Sequence, residues 1–195
     1  MKKIYLVLSY TGTVLSNIIK LYTKNEFSHV SIALDEELEE LYSFGRLKPY
    51  NPFKGGFVHE GINIGTFKRF PKARAAVYSL TVSDMEYQEI EKNIKEFKEK
   101  KDLYTFNTVG LFLVAINKKI IRENSFYCAE FVRYILETSG VKLELPQIIQ
   151  PEDFKKVENL KLVYKGYLRK YKYRDTWNKI KDMKNILSMK TVNNN

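Results

Sequence analysis

Cysteine and histidine are nearly absent from this sequence, which has one Cys, Cys128, and two His, His29 and His59. A single cysteine excludes an intrachain disulfide framework. It fits a reducing compartment or a reactive thiol. One Cys and two His without ligand spacing do not make a structural zinc site, so no metal and no cofactor are expected. A phosphate-binding glycine loop is also missing, because Gly55-Gly56 precedes neither a helix nor a Gly-Lys-Ser/Thr run. Long apolar runs are lacking as well. The N-terminus, Met1-Lys2-Lys3-Ile4-Tyr5-Leu6-Val7-Leu8, places two lysines before an apolar run, as a signal peptide does. The run turns polar at Ser9-Tyr10-Thr11-Gly12, too soon for a signal h-region or a membrane span. It reads as the first β-strand of a cytoplasmic protein.

Aromatic and apolar residues are plentiful. The 195-residue chain is 44% hydrophobic and 14% aromatic, with 14 Tyr and 12 Phe. That is enough for one domain with a true core, and it excludes a disordered chain. The net charge of +10 is concentrated at one end. From Lys165 to Asn195 there are nine Lys/Arg against two Asp, so +7 of the total lies there. The reading is one domain over 1–172 and a basic amphipathic tail over 173–195. Such a tail can rest on an anionic membrane surface, engage nucleic acid or an acidic partner, or simply be a solvated helical face. It lacks the interleaved glycine and aromatic residues of an RNA-binding segment, which argues against nucleic acid.

The apolar pattern predicts strands at residues 4–9 and 27–34, with Val30, Ile32 and Leu34 on one face and His29, Ser31 and Ala33 on the other. A turn at Asp35-Glu36-Glu37 leads to a strand from Leu41 to Phe44, closing a hairpin. Residues 48–56, with two Pro and two Gly, read as a loop. Strands follow at 57–64, 75–82 and 160–168. Helices are predicted at 13–22, at 83–101 behind a Ser83-x-x-Glu86 capping box, at 106–117, at 126–138 with a stop at Ser139-Gly140, and at 175–189. Antiparallel strands partly segregated from helices make the class α+β.

Two residues carry the chemistry. With Asn124 or Ser125 as its N-cap, the helix from Phe126 holds Cys128 in its first turn. There, unpaired backbone N–H groups and the helix dipole favour negative charge and can hold a developing oxyanion. His29 opens the small-residue face of its strand, where an imidazole can point into a cleft and pair with a thiol. His59, beside a glycine pair, is the weaker candidate.

These segments resemble a known group. Phe27-Ser28-His29-Val30-Ser31-Ile32 and Phe126-Tyr127-Cys128-Ala129-Glu130-Phe131-Val132 resemble the paired motifs of permuted NlpC-like papain-fold proteins, the YiiX/YaeF-like group. The strand, polar turn and Ile-rich helix over 9–22, and the stretch 61–70, resemble the same group, so the likeness spans roughly 4–170. It implies a circularly permuted papain-like fold, with an antiparallel sheet or partial barrel packed against helices and the His strand ahead of the Cys helix. It implies Cys128 as nucleophile and His29 as base, with Tyr127 and Ser9 contacting substrate. The group's third polar residue aligns with Ser43, and the hairpin brings 43–45 opposite His29. Ser43 can fix the imidazole tautomer but cannot stabilise an imidazolium as a carboxylate does. Glu60 on the following strand can supply that charge.

Three functions follow as expectations. One is a thiol amidohydrolase or peptidase acting on a small peptide, including one derived from cell-wall material, through an acyl-enzyme. The second is a lipid acyl hydrolase or acyltransferase that uses the basic tail at a membrane. The third is a papain-like shell serving as a non-catalytic binding module.

Overall fold

A computed structural model of the chain describes residues 1–48, 51–108, 110 and 123–173. It has mixed α+β architecture built on a six-stranded antiparallel sheet. The strands are β1 (Lys2–Tyr10), β2 (His29–Ala33), β3 (Leu41–Lys48), β4 (Asn51–Glu60), β5 (Arg74–Val82) and β8 (Lys161–Tyr167). They lie in the order β4-β3-β2-β1-β5-β8, so the sheet is open, with β4 and β8 at its edges, and is not a closed barrel. Helices α1 (Val14–Thr23), α2 (Gly65–Arg69), α3 (Asp84–Glu99) and α4 (Cys128–Thr138) complete the described frame, with two short strands, β6 (Thr105–Phe106) and β7 (Ser125–Phe126), paired in parallel.

The run Ile4–Leu8 explains the centre of the sheet. Residues alternate across a strand, so Ile4, Leu6 and Leu8 join the core under α3 and α4 while Tyr5 and Val7 join a second core on the opposite face. A strand covered on both faces is apolar at every position, which is why this segment imitates a signal peptide in sequence. The first core contains a closely packed aromatic group. Phe97 of α3 lies within 6.0 Å, centroid to centroid, of Phe44, Phe57, Tyr104, Phe126, Phe131 and Tyr134. The Ser83 capping box forms as expected: Glu86 N–H donates to Ser83 Oγ at 3.2 Å, and Ser83 N–H donates to Glu86 Oε2 at 2.7 Å.

Between β3 and α2, two boundaries differ from the sequence reading. The expected loop over 48–56 is largely sheet: β3 continues to Lys48 and β4 begins at Asn51, with Arg46 opposite Gly55 and Gly45 opposite Gly56. Pro52 is tolerated because β4 is an edge strand, where a missing N–H need not break a ladder. Gly55 serves close approach, since a Cβ there would stand 2.7 Å from the Phe106 ring. The strand expected to reach residue 64 stops at Glu60 and gives way to α2. The predicted helix over 106–117 falls mostly outside the described residues, although Phe106 itself lies in β6, and the tail helix over 175–189 falls wholly outside them. Among the described residues, no helix is long and apolar enough to cross a membrane.

Phe97 joins α3 to four other elements, so its truncation leaves a cavity that no single neighbour can fill. Phe97→Ala is expected to cost about 3–5 kcal/mol, measured as a lowered urea midpoint at unchanged m-value.

Candidate active site

The site forms where β1 ends and β2 begins. Ser9 and His29 are directly paired across β1 and β2, and the antiparallel register of β2 with β3 carries Gly45 to the same end of the sheet. α4 supplies the remaining group. Its start is set by the short β6–β7 ladder, which keeps Phe126 extended. Asn124, expected as a cap, instead adopts a left-handed conformation (φ 52°) that turns the chain into β7, and its carbonyl accepts from Thr105 N–H at 2.8 Å. Tyr127 is therefore the N-cap residue and Cys128 the first helical residue, where backbone N–H groups have no intrahelical acceptor. The Glu130 carboxylate folds back to accept the Tyr127 N–H at 3.3 Å.

Cys128 is 3% exposed, yet it lines a cavity of about 70 Å³ together with His29 and Glu60. His29 Nε2 lies 3.2 and 3.3 Å from the two carboxylate oxygens of Glu60. Ser31 Oγ donates to Glu60 Oε2 at 2.5 Å. The side chains of His29 and Glu60 are 20% and 10% exposed. Gly45 lies beside the pair, where a Cβ would stand 3.6 Å from both Glu60 Oε1 and His29 Cε1. A methyl fits there, and a longer side chain would intrude on the contact.

Burial disfavours a charged His29 ring. The Glu60 carboxylate first, and Cys128 second, outweigh that effect through charge and hydrogen bonding, and the His29 pKa is pushed up to about 10. Cys128 faces the same cavity as His29 and is close enough for its charge to favour the protonated ring. Three of the sequence candidates, Cys128, His29 and Glu60, come together in one site.

The other candidates are placed differently. Ser43 is buried, and its hydroxyl donates to the Val30 carbonyl at 2.8 Å, so it ties β3 to β2 and does not reach the imidazole. The residue opposite His29 is Gly45, and the reach of Glu60 across the strand fills the space that a side chain there would occupy. Tyr127 is 3% exposed and its hydroxyl donates to the Ile149 carbonyl at 2.9 Å. It is a packed aromatic pinning the start of α4, it is not among the cavity-lining residues, and burial raises its pKa. Ser9 is fully buried with a hydroxyl that has no partner among the described residues, and it too is absent from the cavity lining. His59 stacks on Tyr42 at 5.0 Å between centroids and contacts the Glu39 carbonyl at 2.6 Å, away from Cys128. Among the described residues, no group of three or more His, Cys, Asp or Glu could hold a metal ion.

Sequence reasoning missed two contributors. Ser31, two residues after His29 on the same strand face, anchors Glu60, and the alternation of β2 is the signal that could have flagged it. Arg46 lines the cavity and donates from Nη2 to Thr13 Oγ1 at 3.2 Å. Its placement follows from β3 continuing past Phe44, where the sequence reading ends the strand. No protein-family model and no curated protein sequence matches the chain.

The raised His29 pKa makes this contact a source of pH-dependent stability. A group whose folded pKa exceeds its unfolded value of about 6.5 stabilises fully below that pH, and the stabilisation is lost as pH rises toward about 10. Removing the principal raising charge in Glu60→Gln should lower the His29 midpoint by about one unit or more, followed by ring-nitrogen NMR with His59→Gln for assignment. An unchanged midpoint would show that Glu60 does not hold the proton on His29.

Proposed function

We propose that this chain is a thiol hydrolase that cleaves an amide of a small peptide through a Cys128 acyl-enzyme, on a circularly permuted papain-like frame with the His strand ahead of the Cys helix. The observation that carries the reading is the position of His29, in hydrogen-bond contact with the Glu60 carboxylate and lining one cavity with Cys128, the first residue of a helix. A nucleophile, a base and an orienting acid gathered at one cavity are the minimum that thiol catalysis needs. Glu60 fills the third position.

The steps follow from that arrangement. With Nε2 on Glu60, Nδ1 is the nitrogen left to carry the Cys128 proton, and the raised His29 pKa favours a thiolate–imidazolium pair at rest. The thiolate attacks the carbonyl carbon, a C–S bond forms, and the oxyanion is held by backbone N–H groups at the start of α4. The imidazolium gives its proton to the leaving amine as the C–N bond breaks. Water, deprotonated by His29, then cleaves the thioester and returns the thiol.

A second reading, hydrolysis or transfer of a lipid acyl group, has one observation in its favour. Helix α1, whose Ser16 and Ile19 line the cavity, exposes Val14, Leu21 and Tyr22 at 77%, 75% and 62%. Exposed apolar side chains on the outer face of the helix that walls the cavity suit an acyl chain or a membrane surface.

The test uses a chloroacetamide probe at neutral pH, with the labelled residue read by intact mass. The chain has one thiol, so a label has one address. Cys128 should react faster than in the urea-unfolded chain. His29→Ala should slow labelling by about 100-fold or more. Ser43→Ala should stay within about twofold of wild type while costing about 1 kcal/mol of stability. Labelling no faster than in the unfolded chain would sink the thiol-hydrolase reading and leave a binding module.

A further inference from the structure

We propose that Arg46 selects an acyl substrate carrying a carboxylate next to the bond that is cleaved. This inference rests on the thiol-hydrolase reading and adds the chemical class of the substrate.

Arg46 lines the same cavity as Cys128, His29 and Glu60. It is half-buried, and among the described residues its guanidinium donates one hydrogen bond, from Nη2 to Thr13 Oγ1 at 3.2 Å. Among the described residues, no carboxylate lies within ion-pair distance of it. Glu60 is near enough to favour its positive charge, but the Glu60 oxygens are already taken by His29 and Ser31. Burial works against the charge and pulls the Arg46 pKa down.

A guanidinium that is partly desolvated and lacks a bidentate acceptor is unfavourable unless a ligand completes it. The fork is also held in place. It lies 5.7 Å over the Phe70 ring, and its Thr13 contact ties it to the N-cap of α1. A planar carboxylate matches such a fork with two parallel hydrogen bonds. The cavity of about 70 Å³ has room for a small planar group beside the sulfur and little more. Thr13 Oγ1 accepts the Ser16 N–H, so the positive end of the α1 dipole also faces this corner.

The test compares alkylation of Cys128 by iodoacetate and by iodoacetamide on the full chain at pH 7. In both reactions the thiolate forms a C–S bond to the methylene carbon while iodide leaves with the C–I pair. The two reagents differ in charge and little else. His29 contributes to any preference for the anion, so the readout is the ratio of the two second-order rate constants and its dependence on Arg46. That ratio should fall about tenfold in Arg46→Gln. In Arg46→Lys it should remain well above the Gln value, because the charge is kept and only the fork is lost. An unchanged ratio in Arg46→Gln overturns the role of Arg46 and leaves the reactive thiol standing. Failure of wild-type Cys128 to react with either reagent overturns the thiol-hydrolase reading and this inference with it.

Discussion

A carboxylate that is 10% exposed keeps its charge only where its lone pairs are filled. Glu60 meets this requirement with His29 Nε2 at both oxygens and with the Ser31 hydroxyl at one. The surrounding sheet is shaped by that need. β4 must deliver Glu60 across β3, so β3 carries no side chain at Gly45, beside the contact. β2 must place a small hydroxyl two residues from the histidine, and it does so with Ser31. Breaking a buried pair from one side costs about 3–5 kcal/mol, because the remaining charge is stranded. The same contact that charges the imidazole therefore also holds three strands in register.

The position of the thiol depends on a different force. Cys128 lies between Phe126 and Phe131, and both rings pack against Phe44 and Phe97. Phe44 directly precedes Gly45. The aromatic core thus fixes the start of α4 and the stretch of β3 beside His29 in one packing arrangement. Tyr127 adds a hydrogen bond to Ile149, which holds the N-cap residue against the loop that follows α4. Site geometry and core packing are one construction, and a core truncation near Phe97 has consequences for both.

Much of this was legible in the sequence because it depends on local pattern. The alternation around His29, the Ser83 capping box and the apolar run Ile4–Leu8 each specify an element directly. Cys128 and His29 were visible as rare residues in suggestive positions. What was hidden depends on register and tertiary pairing. Ser43 follows the aligned position, but which side chain reaches an imidazole is decided by the direction of neighbouring strands, and the Ser43 hydroxyl goes to Val30. The stretch with Pro52 and Gly55 reads as a loop because composition reports turn propensity. Only the sheet order shows that Pro52 is on an edge and that Gly55 makes room for Phe106. The helix start moved by two residues because a parallel pairing with Thr105–Phe106, distant in sequence, outweighs the capping preference of Asn124 or Ser125.

The size of the cavity divides the recognition problem. At about 70 Å³ it is well below the 300–1,000 Å³ of pockets that enclose a whole small ligand. The enclosed part can grip the reacting group and one small neighbour, and the rest of a substrate has to lie on the surface outside. Helix α1 turns Ser16 and Ile19 to the cavity and leaves Val14, Leu21 and Tyr22 exposed on its other face. The chemistry at the reacting end and the character of the remaining substrate are therefore set by different elements. On the proposed reading, the strand ends and the start of α4 bear on the first, and the outer face of α1 bears on the second. On the proposed thiol-hydrolase reading, a shift of preference between peptide and lipid needs only a few surface residues of α1, because none of those residues supports the buried His29–Glu60 contact.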